Sequence, residues 1–466
     1  MFKILLFIPF LSVIACSKNG NATTGNPVLY GVIFRDLFQK AVITNDMALV
    51  NLPYGSLVTA INTHIETDVS VKCSVAKDGD YNYIQPLVIT LTDAGNTKKY
   101  YIKVNVANKP DTAVCGVWVT NVGSPALSSP QNIALMVNNI DAAGINVIFV
   151  DVFNKNQTLH PSAVLHNNIL LGTQEQMFGA GWDPLQVLIE KAHAKNIKVI
   201  PWFEYGFISN YKGVAHPILD AHPDWVGVDY NNSATVRNDF TWFNAFNPAV
   251  QQFMLDLIME VVNKYDVDGI QCDDHMPAMP INSGYDAATS DLYKKETGKD
   301  APANTSDADW VQWRADKLTD FAERIYKTVK AAKPHCAIGF APGPLGWAIQ
   351  NNLADWEAWV RKGIYDMISP LLYKTESAGL SAYSGLVDKD VAQILNKYRG
   401  SVKKYFPGIM VKNAGYAPSD NYLASCVQYN RANGILGEVY WYYDGLISNT
   451  RVYKAFYPVK PIFPTY

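Results

Sequence analysis

The segment Asp268-Gly-Ile-Gln-Cys-Asp-Asp-His275 ends a short apolar run in two consecutive carboxylates and an imidazole. A second run, Val199-Ile-Pro-Trp-Phe-Glu-Tyr-Gly-Phe207, carries Trp202, Glu204 and Tyr205 out of an equally apolar stretch. Carboxylates delivered this way suit acid–base hydrolysis: one with a raised pKa protonates a leaving oxygen, while the other attacks or activates water. A separation of about 5 Å suits a retaining glycosidase, and about 6.5–9.5 Å an inverting one. The expected roles are Asp273 as nucleophile or base, Glu204 as acid, and Asp274 as an orienting or stabilising neighbour. Glu438, in Gly437-Glu-Val-Tyr-Trp441, is a further candidate acid, with packing against a basic residue inside the fold as the competing assignment.

Other polar and aromatic residues recur at the ends of apolar runs. Trp118, Asn121, Asn154, Lys155 and His160 follow the first two, His275 follows Asp274, and Tyr373, Lys374, Trp441 and Asp444 follow the last ones. Aromatic rings there can stack on or border a sugar ring, and the polar groups can bind hydroxyls. A metal site made of Asp273, Asp274 and His275 is not expected, because consecutive strand residues face opposite ways. No Gly-x-Ser-x-Gly elbow for acyl transfer is present.

Such groups need a scaffold that gathers strand ends. After Pro110, apolar runs alternate with amphipathic helices: Gly116–Thr120, a helix near 133–143, Asn146–Val152, a helix over 185–195, then Ile197–Phe203. Between Val250 and Val262, apolar residues at 250, 253, 254, 257, 258, 261 and 262 mark one helix face leading into the Asp268 run. Further strands are expected at Ala337–Phe340, Met367–Tyr373, Gly408–Val411 and Gly434–Tyr442. Eight such repeats predict an α/β fold, a (β/α)8 barrel over 111–466, with its active site at the carboxyl ends of the strands. No glycine-rich phosphate loop follows the first strand, so no nucleotide cofactor is expected. Residues 25–110 read instead as strand after strand. The hairpin Leu87–Thr92 and Tyr100–Val106 around Asp93-Ala-Gly-Asn96 points to a small all-β, immunoglobulin-like sandwich serving as a spacer or docking module, with glycan binding as the alternative role.

The first sixteen residues place Lys3 ahead of an apolar run of signal-peptide length, and Val13-Ile-Ala-Cys16 resembles a lipobox. Export, lipidation of Cys16, a polar tether over 17–24 and attachment to the bacterial cell envelope, at its outer membrane, are the expectation. A formal net charge of -3 with no basic face excludes a nucleic-acid partner. Carbohydrate and membrane are the partners expected. The five cysteines beyond Cys16 include no close pair, and Cys115, Cys272 and Cys336 read as small buried hydrophobes.

In order along the chain, the runs beginning at Cys115 (CGVWVTNVGSP), Ile145 (INVIFVDVFNKNQTLHPS), Ile197 (IKVIPWFEYGF), Phe243 (FNAFNPAV), Asp268 (DGIQCDDH) and Leu353 (LADWEAWVRKGIYDMI) resemble the bacterial glycosyl-hydrolase-like 10 proteins. The resemblance extends over residues 113 to about 455. It implies a TIM-barrel glycoside hydrolase with a central fourth-strand Asp. Related barrels that cleave α-glycans carry their nucleophile in a Gly-x-x-x-Asp strand, here Gly269 and Asp273. Others acting on amino-sugar polymers use an Asp pair, which implicates Asp274. The chain departs from the family pattern at Gly123, at Leu371 and at Ala341-Pro342, each time losing a polar group from the rim. The alternative reading is therefore a non-catalytic glycan-binding surface lipoprotein.

Overall fold

A computed structural model describes residues 25–466 except 214 and 399; Cys16 and the tether over 17–24 lie outside the described residues. The chain divides into two compact units. One comprises residues up to Arg35, Gln39–Val50 and Leu57–Asn105, and the other Asp36–Phe38, Asn51–Ser56 and Val106–Tyr466. The division is thus less simple than one cut near residue 110, since two short early segments belong to the second unit.

In the second unit, eight strands form one sheet: β1 (Cys115–Val119), β2 (Val147–Asp151), β3 (Lys198–Phe203), β4 (Gly269–Cys272), β5 (Ala337–Phe340), β6 (Met367–Ile368), β7 (Gly408–Met410) and β8 (Glu438–Trp441). Every pairing is parallel. The hydrogen-bonded order is β6-β5-β4-β3-β2-β1-β8-β7, and parallel bridges Ile368↔Tyr405 and Leu371↔Gly408 join its two ends. The curled sheet with helices between its strands fits a (β/α)8 barrel.

Two apolar layers hold it. Inside the sheet, Val147, Phe149, Ile200, Ala337, Met367 and Val439 pack beneath Trp118 and Trp202. Outside it, the opposite strand faces meet the helices. The helix Pro248–Lys264 illustrates the local logic. Asn247 caps it by accepting from the Ala249 N–H, Pro248 occupies its first turn, and Val250, Phe253, Met254, Leu257, Ile258, Val261 and Val262 are buried, the face expected from their spacing. The buried cysteines 115, 272, 336 and 426 sit in the outer layer as free thiols.

Two expected strands are shorter than their sequence runs. β6 stops at Ile368 because Pro370 has no N–H to give a ladder, although its carbonyl still accepts from Gly408 N at 2.8 Å. β8 begins only at Glu438, because the preceding helix ends at Ala432 and Gly434 (φ +75°) turns the chain. A small antiparallel sheet of Ile208–Tyr211, Val236–Arg237 and Phe240–Trp242, not foreseen in the sequence, is inserted after β3.

The N-terminal unit is all-β. One sheet has the order Gln39–Lys40, Leu29–Phe34, Ile61–Thr67, Asp78–Tyr81, and the other Val42–Thr44, Met47–Leu52, Asn96–Val106, Leu87–Asp93, Lys72–Cys73. The expected hairpin is present, with Asp93 opposite Asn96 and Ala94 and Gly95 in the left-handed region. These strand orders carry the all-β part of the expectation and leave the immunoglobulin-like part unsupported.

Gly269 lets β4 approach β5, for a Cβ there would stand 2.6 Å from Ala337 O and 3.0 Å from Ala337 Cβ. Gly269→Ala should therefore lower stability by roughly 1–3 kcal/mol in urea unfolding. Gly385→Ala, in an exposed helical position with no neighbour within 4 Å, should raise it by about 0.5–1 kcal/mol.

Candidate active site

The register of the barrel brings carboxyls together. β3 pairs with β4 through Trp202↔Gln271 and Phe203↔Cys272, so Glu204 and Asp273 leave adjacent strands at the same level. β2 pairs with β3 through Asp151↔Trp202 and ends in a third acid, Asp151, which is fully buried. Asn154 ties the group: its Nδ2 donates to Glu204 Oε2 at 3.1 Å, to Asn121 Oδ1 at 2.6 Å and to Asp151 Oδ2. Thr120 Oγ1 donates to the same Glu204 oxygen at 3.2 Å, and the Phe153 N–H donates to Asp151 Oδ1 at 3.2 Å.

Burial pushes the pKa of Asp151 well above the usual carboxylate range, helped by the Glu204 charge and a hydrogen bond to Glu204. Glu204 is also raised by burial, opposed by the hydrogen bonds it receives from Asp151, Asn154 and Thr120. Asp273, 8% exposed, is pushed well up by burial and then by the charges of Asp274 and Glu204. The Asp274 N–H and the Trp202 indole face Asp273 and oppose part of the rise, while Asp273 Oδ1, Gln271 Nε2 and the Tyr373 hydroxyl are buried without a close hydrogen-bond partner.

Aromatic rings form the floor and rim. Trp118 lies 6.4 Å from Trp202, 6.1 Å from Trp441 and 6.4 Å from Tyr373, and donates Nε1–H to Gln271 Oε1 at 2.8 Å. Trp118 and Trp202 are fully buried, so they support the floor and cannot stack on a sugar as expected from the sequence. Tyr373 and Trp441 remain partly exposed, stacked on each other at 5.8 Å and 29°. Tyr205 is likewise buried against Phe240 and supports the wall. On the β4 side, His275 packs against Trp242 at 5.4 Å and Phe240 at 6.0 Å and meets Glu204 O through Nδ1 at 3.1 Å. Gly206 (φ +50°) permits this approach, since a Cβ there would stand 2.6 Å from Met276 Cβ.

Glu438 does not join the group. It lies at the entry of β8, at the opposite end of the barrel, and is completely buried. Arg431 holds it bidentately at 3.0 and 3.2 Å, and the Tyr440 and Tyr457 hydroxyls each donate to it at 2.7 Å. The catalytic expectation is corrected: Glu438 is the anion of a buried structural pair. His160 is also displaced from the site. Its buried ring packs on Tyr265 at 5.4 Å and faces Glu260 on the helix Pro248–Lys264, in the outer layer.

The remaining expected residues stay near strand ends. Lys155 is exposed at the turn of the hairpin Phe153–Asn154 and Gln157–Thr158. Lys374 follows Tyr373 and is half-buried, and Asp444 follows β8 with one buried oxygen unpartnered. Asp273, Asp274 and His275 do converge, with ligand atoms within 4.8 Å of one another. Strand alternation does not separate them because β4 ends at Cys272 and a turn closed by Met276 N to Asp273 O at 3.0 Å follows. Sequence reasoning missed Asp151, whose signal was the same as that of Asp273: an acid closing an apolar run, here Val147-Ile-Phe-Val-Asp151. Thr120 and Gln271 carried weaker signals, and Phe240 and Trp242 arrive only through the inserted sheet.

Residues 113–417 match the family described as Glycosyl hydrolase-like 10. The chain belongs to that family. Among curated relatives, "Glycosyl hydrolase YngK" of Bacillus subtilis (strain 168) is 27% identical over 294 residues, covering 58% of this chain and 54% of that protein. "Glycosyl hydrolase DigH" of Escherichia coli (strain K12) is 28% identical over 297 residues, covering 59% of this chain and 64% of that protein. The match thus spans less than two thirds of either relative. Among solved structures, the PgaB (BpsB) glycoside hydrolase domain from Bordetella bronchiseptica superposes with a TM-score of 0.55 at 12% identity, over 76% of this chain and all of that one. Alpha-L-fucosidase isoenzyme 2 from Paenibacillus thiaminolyticus gives 0.52 at 15%, over 73% of this chain and 49% of that one. At these identities the likeness is one of fold.

Two outcomes follow from the site. A raised Asp151 pKa means that the folded chain keeps a proton which the unfolded chain releases above pH ~4, so stability falls as pH rises from there toward the folded-state pKa. Asp151→Asn should make the decline of Tm between pH 4 and 7 shallower. Asp390, pushed up to about 7 by burial beside Tyr405, preserves part of the slope in that variant. Glu438→Ala should cost roughly 3–5 kcal/mol in denaturant unfolding by stranding Arg431, while the carboxyls in the mouth keep their arrangement and ligand binding per folded molecule is retained.

Proposed function

We propose that the protein is a glycoside hydrolase that cleaves polysaccharide or oligosaccharide chains in the mouth of its barrel. The observation that carries this reading is the convergence of Asp273 and Glu204 from adjacent strand ends, buried and electrostatically linked, over an aromatic floor. Membership of the glycosyl hydrolase-like family and the names of the relatives YngK and DigH support it. The apolar N-terminal run and Cys16 support an exported, lipid-anchored protein of the cell envelope, with carbohydrate as its substrate.

The roles expected from the sequence are exchanged in this proposal. Paired carboxyls divide the work according to which environment favours charge. Glu204 collects hydrogen bonds from Thr120, Asn154 and Asp151, which oppose the upward push of burial and make it the better stabilised anion of the two, suited to act as nucleophile or base. Asp273 has an unpartnered oxygen, and burial, followed by the charges of Asp274 and Glu204, pushes its pKa well up, which suits it to protonate the glycosidic oxygen. Asp151 contacts Glu204 and is a positioning residue. Asp274 and His275 border the acid, and Tyr373 and Trp441 offer their exposed edges to a sugar ring.

The test is release of new reducing ends from a panel of α-glucans, plant polysaccharides and peptidoglycan glycans. Asp273→Asn and Glu204→Gln should each lower kcat by about 10²–10⁴. Asp273→Asn should retain most turnover on aryl glycosides whose leaving group needs no proton, whereas Glu204→Ala should not but should regain rate with added azide. The opposite pattern would restore the roles read from the sequence. No release by the unaltered protein from any glycan would overturn the hydrolase itself.

A further inference from the structure

A cavity of about 790 Å³ shares no lining residue with the barrel mouth. One wall is the segment after β3, including Val226, Asn244 and Phe246. The other is formed by the helices that follow β4, Ala287–Thr297 and Ala308–Ala332, with the cap residue Asp286. Nothing in the proposed reaction uses it.

We infer that this cavity is a second saccharide-binding site, which holds a polysaccharide chain while another part of it occupies the mouth. The inference rests on the carbohydrate reading of the barrel but not on its catalysis.

The cavity is lined by one unspent donor and one buried, unspent acceptor. Asn244 is only 4% exposed. Its Oδ1 accepts from the Phe246 N–H at 3.0 Å, while its Nδ2 donates to no group among the described residues. Asp286 caps the first helix, its Oδ1 accepting from the Thr289 N–H at 3.0 Å, and its Oδ2 is buried without a partner. Buried polar groups are ordinarily paired, so the unpaired Asp286 oxygen, together with the free Asn244 amide on the same cavity, points to a ligand that supplies both a donor and an acceptor. Between them, Val226, Phe246, Leu292 and Phe321 make the lining largely apolar.

Sugar rings combine these properties, with hydroxyls that donate and accept and C–H faces that lie on apolar surface. A purely apolar ligand would leave Asn244 and Asp286 unpaired. A phosphate-rich ligand would meet Asp224, Asp286 and Asp320 against only Lys317 and Arg324. Lys317 is moreover engaged with Glu296 at 2.7 Å, and Arg324 hydrogen-bonds Gln252. The chemistry therefore favours a neutral saccharide.

The experiment is calorimetric titration of the full chain carrying Glu204→Gln and Asp273→Asn, which prevents turnover. The probes are linear hexasaccharides of α-1,4-glucose, β-1,4-glucose and β-1,4-N-acetylglucosamine. Leu292→Arg, at a 40% exposed helical position, fills the cavity without disturbing the core. Asp286→Asn keeps the capping oxygen and turns the free acceptor into a donor. At least one hexasaccharide should bind at two sites, one of which is lost in Leu292→Arg and weakened tenfold or more in Asp286→Asn. In the catalytically intact chain, Leu292→Arg should leave the rate on a short aryl glycoside unchanged while raising KM for the long polymer. Unchanged stoichiometry and affinity in both cavity variants would overturn the site while leaving the hydrolase intact. Binding lost in Leu292→Arg by a chain that releases no reducing ends would uphold the site and overturn the hydrolase. Absence of binding by every hexasaccharide would overturn the site.

Discussion

Everything at the mouth depends on parallel pairing between β2, β3 and β4. Parallel strands in register deliver the residues beyond their last ladder bonds to one level, here Asp151, Glu204 and Asp273 from three neighbouring strands. Three carboxyls cannot all be ionised at close range in a site shielded from water. Protons must stay on some of them, and the local donors decide where the charge sits. Asn154 and Thr120 reach Glu204, whereas Asp273 meets only the Asp274 N–H and the Trp202 indole, and its buried Oδ1 is left without a close partner. The two acids differ in their surroundings, since Glu204 has more hydrogen-bond donors and Asp273 has a second charge, Asp274, beside it.

The aromatic floor makes that arrangement effective. Trp118 and Trp202 fill the top of the barrel interior and keep water from beneath the carboxyls, which lowers the local dielectric and strengthens both the mutual repulsion and the hydrogen bonds that resolve it. The same rings position the rim. Trp441 rests on both tryptophans and stacks with Tyr373, so the two partly exposed aromatics are oriented by two that are wholly buried. His275 is set in the same manner by Trp242 and Phe240 from the inserted sheet.

The two ends of the barrel handle buried charge differently. At the entry of β8, Glu438 is neutralised by a bidentate arginine and two tyrosine hydroxyls, leaving neither carboxylate oxygen available to a ligand. At the opposite end, polar atoms of Gln271, Asp273 and Tyr373 are buried and unspent. Satisfied networks stabilise, whereas unsatisfied ones retain the capacity to bind. This contrast separates the acids of the mouth from the acid of the base more clearly than their burial does.

Much of this was legible in the residue order because it is local. Apolar runs and helical spacing determined the alternation of strands and helices, and capping residues such as Asn247 and Asp286 set where helices start. The acids closing the β3 and β4 runs marked Glu204 and Asp273. Tertiary structure decided the rest, because it depends on pairings distant in sequence. The start of β8 at Glu438 moved that residue from the top of the barrel to the bottom. Packing against the helix Pro248–Lys264 drew His160 into the outer layer. The inserted sheet supplied the wall around His275, and a turn after Cys272 gathered three side chains that alternation would have kept apart. Which carboxyl is pushed furthest up was undecidable from residue order, since it depends on burial and on hydrogen bonds from Thr120 and Asn154 that exist only once β1, β2 and β3 lie side by side.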